Sequence, residues 1–230
     1  SDSRVDPVSA ISSVFCILVA MEVSLLSISI LLLVLLLSMS IHEMMHALSA
    51  YWLGDDTAKH QGRITLNPIP HIDPFFTVLL PLLLLISGSP FLFGAAKPVQ
   101  VNFNRLRYGE WGGALVGMIG PLTNLVIASV AALLFNAFSP GVGTTMYQVF
   151  LLTIVLNVGL AVFNSIPWPP LDGSRLLYAL APPLREFMEG IERAGLMGLA
   201  IFIFLFYQFG GPIQDLMLNL IHALAPTLVL

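Results

Sequence analysis

The chain has 230 residues, of which 57% are hydrophobic and 10% are charged, and its mean hydropathy is +0.91. Soluble domains carry about 25% charged residues, so this composition indicates an integral membrane protein rather than a soluble one. The net charge of -4 is scattered without a basic run, which argues against nucleic acid as a partner, and the single cysteine, Cys16, excludes an internal disulfide and a cysteine-based zinc site.

The length predicts a single membrane domain over residues 1–230, with its core at about 23–175 and C-terminal helices at 176–230. Residues 8–20 are apolar but too short to span a bilayer, and the N-terminus has no signal-peptide pattern. Residues 23–53 are the first predicted span, which Gly54 ends as a C-cap.

This first span contains the motif H-E-M-M-H at residues 42–46. His42 and His46 are four residues apart, so they project from nearly the same helix face and can bind one zinc ion. Glu43 beside them can take the proton of an attacking water. The alternative is a chance match in which the histidines are hydrogen-bonded core residues. Because unpaired polar side chains in lipid cost about 2 kcal/mol or more each, the membrane setting favours the metal site.

A proline-rich polar segment at residues 59–74 separates this span from a second apolar stretch at residues 75–93. Lysines and arginines flank both ends of that stretch, so the positive-inside rule places both flanks on the cytoplasmic side. We therefore predict a re-entrant hairpin or loop whose open backbone is buried against protein. Residues 97–101 follow as a predicted short edge strand.

Three further spans are predicted at residues 111–138, 145–166 and 192–209, and a glycine-rich turn at 120–124 leads into the first of them. A short helix at 174–181 lies between the last two. Beyond Pro212, apolar residues recur at helical spacing opposite Gln214, Asp215, Asn219 and His222, which predicts an amphipathic helix at the outer surface. The predicted fold class is an all-α polytopic membrane protein with about four transmembrane helices, a re-entrant segment and a short edge strand or hairpin near the site.

A catalytic zinc site usually has three protein ligands, and Asp172 is the best candidate for the third. It ends the motif N-S-I-P-W-P-P-L-D-G at residues 164–173, where three prolines force an extended run. The alternative is that Asp172 is a turn or N-cap residue before Ser174. If residues 23–53 and 145–166 both run from outside to inside, the two motifs meet in the cytoplasmic half of the membrane.

Together, these motifs resemble those of the site-2 protease family of intramembrane zinc metalloproteases. G-P-L-T-N at residues 120–124 is similar to the G-P-x-x-N that often opens the family's intervening core helix. G-R-I-T-L-N-P at 62–68, H-I-D-P at 71–74 and F-G-A-A-K-P-V at 93–99 resemble the minimal prokaryotic branch, which lacks PDZ and CBS domains. The resemblance covers about residues 40 to 175.

The resemblance implies that His42, His46 and Asp172 ligate zinc and that Glu43 is the general base. It also implies that Asn164 holds the substrate strand or donates to the oxyanion. His71 and Asp73 are either additional residues of the site or loop-stabilising residues, as turn chemistry allows.

The expected function is therefore hydrolysis of peptide bonds in or near transmembrane segments of membrane-protein substrates, by a multi-pass protein of the cell membrane. The lipid bilayer and the substrate's transmembrane segment are the expected partners, and an unwound substrate is expected to pair with residues 97–101. The alternative is a non-proteolytic membrane protein that binds or transports a metal, which would need the three ligands but not Glu43. A third interpretation is a pseudo-protease that binds clients without cutting them.

Overall fold

The computed structural model describes residues 25–86, 96–195, 197–198, 201–202, 204–205 and 210–229. Over these residues the fold is all-helical, and its α-helices are α1 (Leu25–Trp52), α2 (Thr57–His60), α3 (Leu80–Ile86), α4 (Glu110–Phe138), α5 (Thr145–Asn164), α6 (Gly173–Leu180), α7 (Arg185–Arg193) and α8 (Gly211–Leu224). A π-helix, Pro74–Leu79, leads into α3, and 3-10 turns lie at Ile69–His71, Phe103–Arg105 and Pro182–Leu184.

Three of the described helices, α1, α4 and α5, are long and apolar enough to cross a membrane. Their outward faces carry large apolar side chains such as Leu33, Val126 and Leu133, which are 57%, 61% and 69% exposed. Such faces are unfavourable in water and favourable in lipid. The chain is therefore a multi-pass membrane protein.

The long helices alternate in direction, so that α1 and α5 are parallel and α4 is antiparallel to both. The end of α1 meets the start of α4, where the Arg107 N–H donates to the Leu53 carbonyl at 2.8 Å. At the opposite end of the bundle, Phe135 of α4 packs edge-to-face on Tyr147 of α5. This arrangement places the second half of α1, the first half of α4 and the end of α5 at the same membrane depth.

The largest apolar core lies between α4, α5 and α8, around side chains such as Ile154 and Ile221. In the polar face predicted for α8, Asp215, Asn219 and His222 are exposed as expected. The prediction is wrong at Gln214, which is buried, and Ile221 is fully buried against the two spans. Packing onto a neighbouring apolar surface decided the orientation of α8, which the local pattern does not report.

Two other local predictions are also wrong. Residues 120–124 do not form a turn but belong to α4, which runs continuously through Pro121. Residues 97–101 form no strand, and no described segment of the chain offers a β-partner; the Lys97 N–H donates instead to the His71 carbonyl at 2.9 Å. The predicted fourth span at 192–209 and the re-entrant stretch at 75–93 lie partly outside the described residues and stay predictions.

Candidate metal centre

Two histidine side chains meet on one face of α1, in its second half. His42 and His46 are each 6% exposed, and their Nε2 atoms lie 3.0 Å apart. The rings pack edge-to-face with centroids 4.6 Å apart. The four-residue spacing on a helix accounts for this approach, and it turns both Nε2 atoms toward the same point.

Asp172 completes a cluster of three groups at that point. Its Oδ2 lies 3.0 Å from His42 Nε2 and 3.3 Å from His46 Nε2. Asp172 does precede α6 at the N-cap position, as the alternative interpretation proposed, but its side chain makes no capping hydrogen bond. The carboxylate therefore faces the two imidazoles and not the helix it precedes.

The approach of Asp172 depends on the tight backbone turn after α5. The Trp168 N–H donates to the Ile166 carbonyl at 2.8 Å, and the Leu171 N–H donates to the Trp168 carbonyl at 2.9 Å. Gly173 follows, and a Cβ there would overlap the Ser165 carbonyl oxygen. Only glycine fits so close to another stretch of backbone, so the D-G pair that the sequence suggested as a turn positions the carboxylate.

Helix α4 closes the cluster from the opposite side at Gly120. A Cβ at Gly120 would lie 2.5 Å from His46 Nε2 and 2.6 Å from His42 Nε2. The absence of a side chain at this position therefore leaves the space between the two ring nitrogens open.

The outer nitrogen of each imidazole has its own partner on α4. The Nδ1–H of His46 donates to the Val116 carbonyl at 2.7 Å, and His42 Nδ1 lies 2.5 Å from Oδ1 of the fully buried Asn124. Ligating histidines characteristically use their second nitrogen in this way. Asn124 was visible in the sequence as the last residue of G-P-L-T-N but had no assigned role, and the Val116 contact is made by backbone, so no side-chain signal points to it.

The three groups fit a transition-metal ion. One atom from each of His42, His46 and Asp172 lies within 4.8 Å of the others. Two imidazole nitrogens and a carboxylate oxygen are donors that zinc and related ions accept. Without a shared cation or proton, these lone pairs would repel one another.

Glu43, half-buried beside these ligands, is hydrogen-bonded to the backbone of residues 97–101. The Val99 N–H donates to Glu43 Oε2 at 2.9 Å, which orients the carboxylate and leaves Oε1 without a backbone donor among the described residues. The segment itself is anchored by the Lys97 backbone: its N–H donates to the His71 carbonyl, and its carbonyl accepts from Arg63 at 3.2 Å.

The remaining predicted residues lie around the cluster and are not part of it. His71 is buried, and its Nε2–H donates to the Thr65 carbonyl at 3.2 Å. Burial lowers the pKa of His71, and the nearby Arg63 charge lowers it further. The Asp73 carboxylate accepts from the Phe75 N–H at the start of the π-helix, a loop-stabilising contact.

Asn164 ends α5, where its Nδ2 donates to the Leu160 carbonyl at 3.0 Å. Nothing in the described part of the chain brings its side chain into contact with the three clustered groups. Its role toward a substrate therefore stays a prediction.

Several curated proteins that are similar in sequence to this chain are named "Putative zinc metalloprotease". YwhC of Bacillus subtilis is 40% identical over 184 residues, which cover 76% of this chain and 79% of that protein. Rip2 of Mycolicibacterium smegmatis is 30% identical over 138 residues, 60% of this chain and 52% of that protein. MJ0611 of Methanocaldococcus jannaschii is 33% identical over 96 residues, 42% of this chain and 47% of that protein.

No protein-family model matches the chain, and no solved structure matches it significantly.

Proposed function

Since this chain belongs to the site-2 protease family, we propose that it is an active intramembrane zinc metalloprotease that hydrolyses peptide bonds in or near transmembrane segments of membrane-protein substrates. The observation that carries the proposal is the convergence of His42, His46 and Asp172 on one buried point within a membrane-spanning bundle. The presence of Glu43 beside that point favours hydrolysis over simple metal binding.

Each residue of the site has a distinct task in this proposal. The Nε2 atoms of His42 and His46 and a carboxylate oxygen of Asp172 hold zinc, which when bound polarises the scissile carbonyl and acidifies the attacking water. Glu43 takes the proton of that water and passes it to the leaving amine. Asn164, at the end of α5, holds the extended substrate or donates to the developing oxyanion.

The position of the site within a membrane-spanning bundle supports the proposed class of substrate. A helical substrate shields its own peptide bonds, so it must unwind before Glu43 and the ligands reach the scissile carbonyl. Residues 97–101 contact Glu43 through the Val99 N–H and have no β-partner among the described residues, and we propose that unwound substrate pairs with this segment. The Lys and Arg residues that flank the second apolar stretch support the proposal that this side of the bundle, and with it the site, lies in the cytoplasmic half of the bilayer.

The test pairs metal analysis with peptide cleavage in detergent, on wild type and Glu43→Gln. Glutamine keeps an oxygen that accepts the Val99 N–H but cannot take a proton, so the site geometry is retained without the base. We expect about one zinc per chain in both proteins and cleavage of synthetic transmembrane peptides by wild type alone.

Other outcomes would favour other functions. Zinc in both proteins with cleavage in neither would support a metal-binding, transport or client-binding protein. Wild type without zinc would contradict the metal site itself, because the three donors would then need another explanation.

A further inference from the structure

A buried chain of amide groups connects His42 to the third long helix. Oδ1 of Asn124 lies 2.5 Å from His42 Nδ1, and Nδ2 of Asn124 donates to Asn157 Oδ1 at 2.8 Å. Asn157 then donates from Nδ2 to Ser38 Oγ at 2.8 Å and to the Thr153 carbonyl at 2.9 Å. Both asparagines are fully buried. This hydrogen-bond network therefore starts at His42 on α1, passes through Asn124 on α4 and Asn157 on α5, and ends at Ser38, one turn earlier on α1.

The hydrogen bonds of this network have a fixed donor-to-acceptor direction, which the Thr153 carbonyl determines. A carbonyl accepts hydrogen bonds but never donates them, so Asn157 must turn its NH2 group to Thr153 and its Oδ1 to Asn124. Asn124 must then present its own NH2 group to Asn157 and its Oδ1 to His42. Because that oxygen only accepts, His42 must carry its proton on Nδ1. The lone pair of the neutral ring is then on Nε2, toward Asp172.

The two imidazoles reach the same tautomer by different means. His46 donates to a backbone carbonyl, that of Val116, which is fixed within α4 and has no alternative orientation. His42 instead faces a side-chain amide, whose oxygen and nitrogen exchange places on a simple flip. A flipped Asn124 would present its NH2 group to His42 and would favour the opposite tautomer, with the proton on Nε2. Among the described residues, the hydrogen bond from Asn124 to Asn157 opposes that flip.

We propose that Asn124 and Asn157 are positioning residues that fix His42 in the tautomer protonated on Nδ1 and so keep its Nε2 ready to bind metal. The inference rests on the proposed function, because it takes His42 as a metal ligand. Asn124 acts directly on His42, and Asn157 acts by holding Asn124. Outer partners of ligating histidines typically change metal affinity by about 10–100-fold.

A matched pair of variants at Asn157 separates hydrogen-bond direction from packing. Asn157→Asp and Asn157→Leu keep the number and branching of the side-chain heavy atoms of asparagine, but only aspartate keeps an oxygen that accepts from Asn124. Leucine leaves Asn124 free to flip. Burying a carboxyl costs more folding free energy than burying leucine. We therefore expect stability and zinc affinity to rank the two variants in opposite orders. Asn157→Leu is the more stable of the two, yet it binds zinc about 10–100-fold more weakly than wild type. Asn157→Asp is less stable but has a zinc affinity close to that of wild type.

Three measurements on the full chain in detergent carry this test. Zinc affinity is measured by competition with a chromophoric chelator, and stability by the unfolding midpoint of the metal-free protein. The histidine tautomer is measured by two-bond nitrogen–proton NMR after labelling of histidine. We expect the pattern protonated on Nδ1 for His42 in wild type and Asn157→Asp, and a mixture in Asn157→Leu. Zinc affinities that follow stability, or an unchanged tautomer in Asn157→Leu, would overturn the proposal.

If the Asn157 variants do not fold, the same comparison is made at Asn124, which contacts His42 directly. Asn124→Asp accepts from His42 through either oxygen, so its zinc affinity is expected to equal or exceed that of wild type. Asn124→Leu is expected to lose about 10–100-fold. Equal affinities in these two variants would overturn the proposal.

Ser40→Ala is the control for loss of a buried hydrogen bond on α1. Ser40 is 2% exposed, but its hydroxyl donates to the Leu36 carbonyl within the same helix, so zinc affinity is expected to match wild type. A wild type that binds no zinc would overturn the proposed function and this inference with it. Wild-type binding with unaffected asparagine variants would overturn this inference alone.

Discussion

At the scale of single residues, the site depends on a missing side chain as much as on the groups that are present. Gly120 of α4 faces the two ring nitrogens of His42 and His46 across a gap that no Cβ can enter. Since Pro121 and the rest of α4 hold this backbone in place, the gap cannot widen without displacing the helix. Alanine at position 120 would therefore compete with the metal for the same space.

We expect Gly120→Ala to weaken zinc binding by at least ~10-fold and to abolish peptide cleavage, because the added methyl pushes the ring nitrogens apart. The matched control is Gly159→Ala on α5, where a Cβ meets only the flexible end of Met217 at 3.3 Å. Chelator competition on both variants is the measurement. Normal zinc affinity in Gly120→Ala would mean that α4 yields more easily than its packing indicates.

The sequence predicted the clustered residues and missed what orients them. The spacing of His42 and His46 and the proline-braced turn at Asp172 are local patterns, so they were visible before the structure. Asn157 looks like a stray polar residue in an apolar span, and its role appears only when α1 and α4 are packed beside it. No side-chain pattern reports that the Val116 backbone accepts from His46.

At the scale of elements, residues 97–101 are held beside Glu43 by hydrogen bonds of their own backbone. Residues 97 and 99 direct their N–H groups to the His71 carbonyl and to Glu43, so neither N–H is available to a substrate strand while these bonds persist. The position of Glu43 and the position of residues 97–101 are therefore coupled through the hydrogen bond of the Val99 N–H.

Proline at Val99 removes this N–H. A hydrogen bond to a charged group is worth about 1.5–3 kcal/mol, so we expect Val99→Pro to lower kcat by roughly tenfold or more while zinc content is unchanged. Val99→Ala keeps the N–H and should cleave nearly as fast as wild type. Equal rates in Val99→Pro and wild type would show that the base needs no partner from this segment.

The long elements were predictable and the short ones less so. The spans predicted at 23–53, 111–138 and 145–166 agree closely with α1, α4 and α5, because a run of apolar residues long enough to cross lipid has few other structures available. The prediction of a strand at 97–101 was wrong because a strand requires a partner strand, and the local sequence does not show whether one is adjacent. The burial of Gln214 in α8 was also missed, because it results from tertiary packing that the local sequence does not show.

At the scale of the whole molecule, the candidate metal centre joins the two parallel spans, α1 and α5, on either side of α4. Asp172, just after α5, meets a histidine 130 residues earlier in the chain, and Asn157 bridges the same two spans deeper in the membrane. An ion bound at this point contacts the folded arrangement only, because an unfolded chain does not bring its ligands together. Binding should therefore stabilise the entire bundle.

Removal of zinc is expected to lower the unfolding midpoint in detergent. At a zinc concentration about 1,000 times Kd, binding contributes about 4 kcal/mol, which corresponds to a shift of roughly 10 °C for a chain of this size. Thermal unfolding before and after treatment with a chelator measures the shift, and readdition of zinc should restore it. Glu43→Gln should show the same shift, because the base is not a ligand. An unchanged midpoint in a protein shown to lose its zinc would contradict the cross-linking role.

The separation of His42 and Asp172 along the chain also has a consequence for biosynthesis. A ribosome that has released α1 and α4 into the membrane has produced only the two-histidine half of the centre, with its carboxylate still untranslated. Long-range contacts of this kind form late, after the intervening chain has been placed. A nascent or truncated chain that ends before residue 172 therefore lacks one of the three clustered groups, so the proposed metal centre is incomplete until the chain beyond the third long helix has been made.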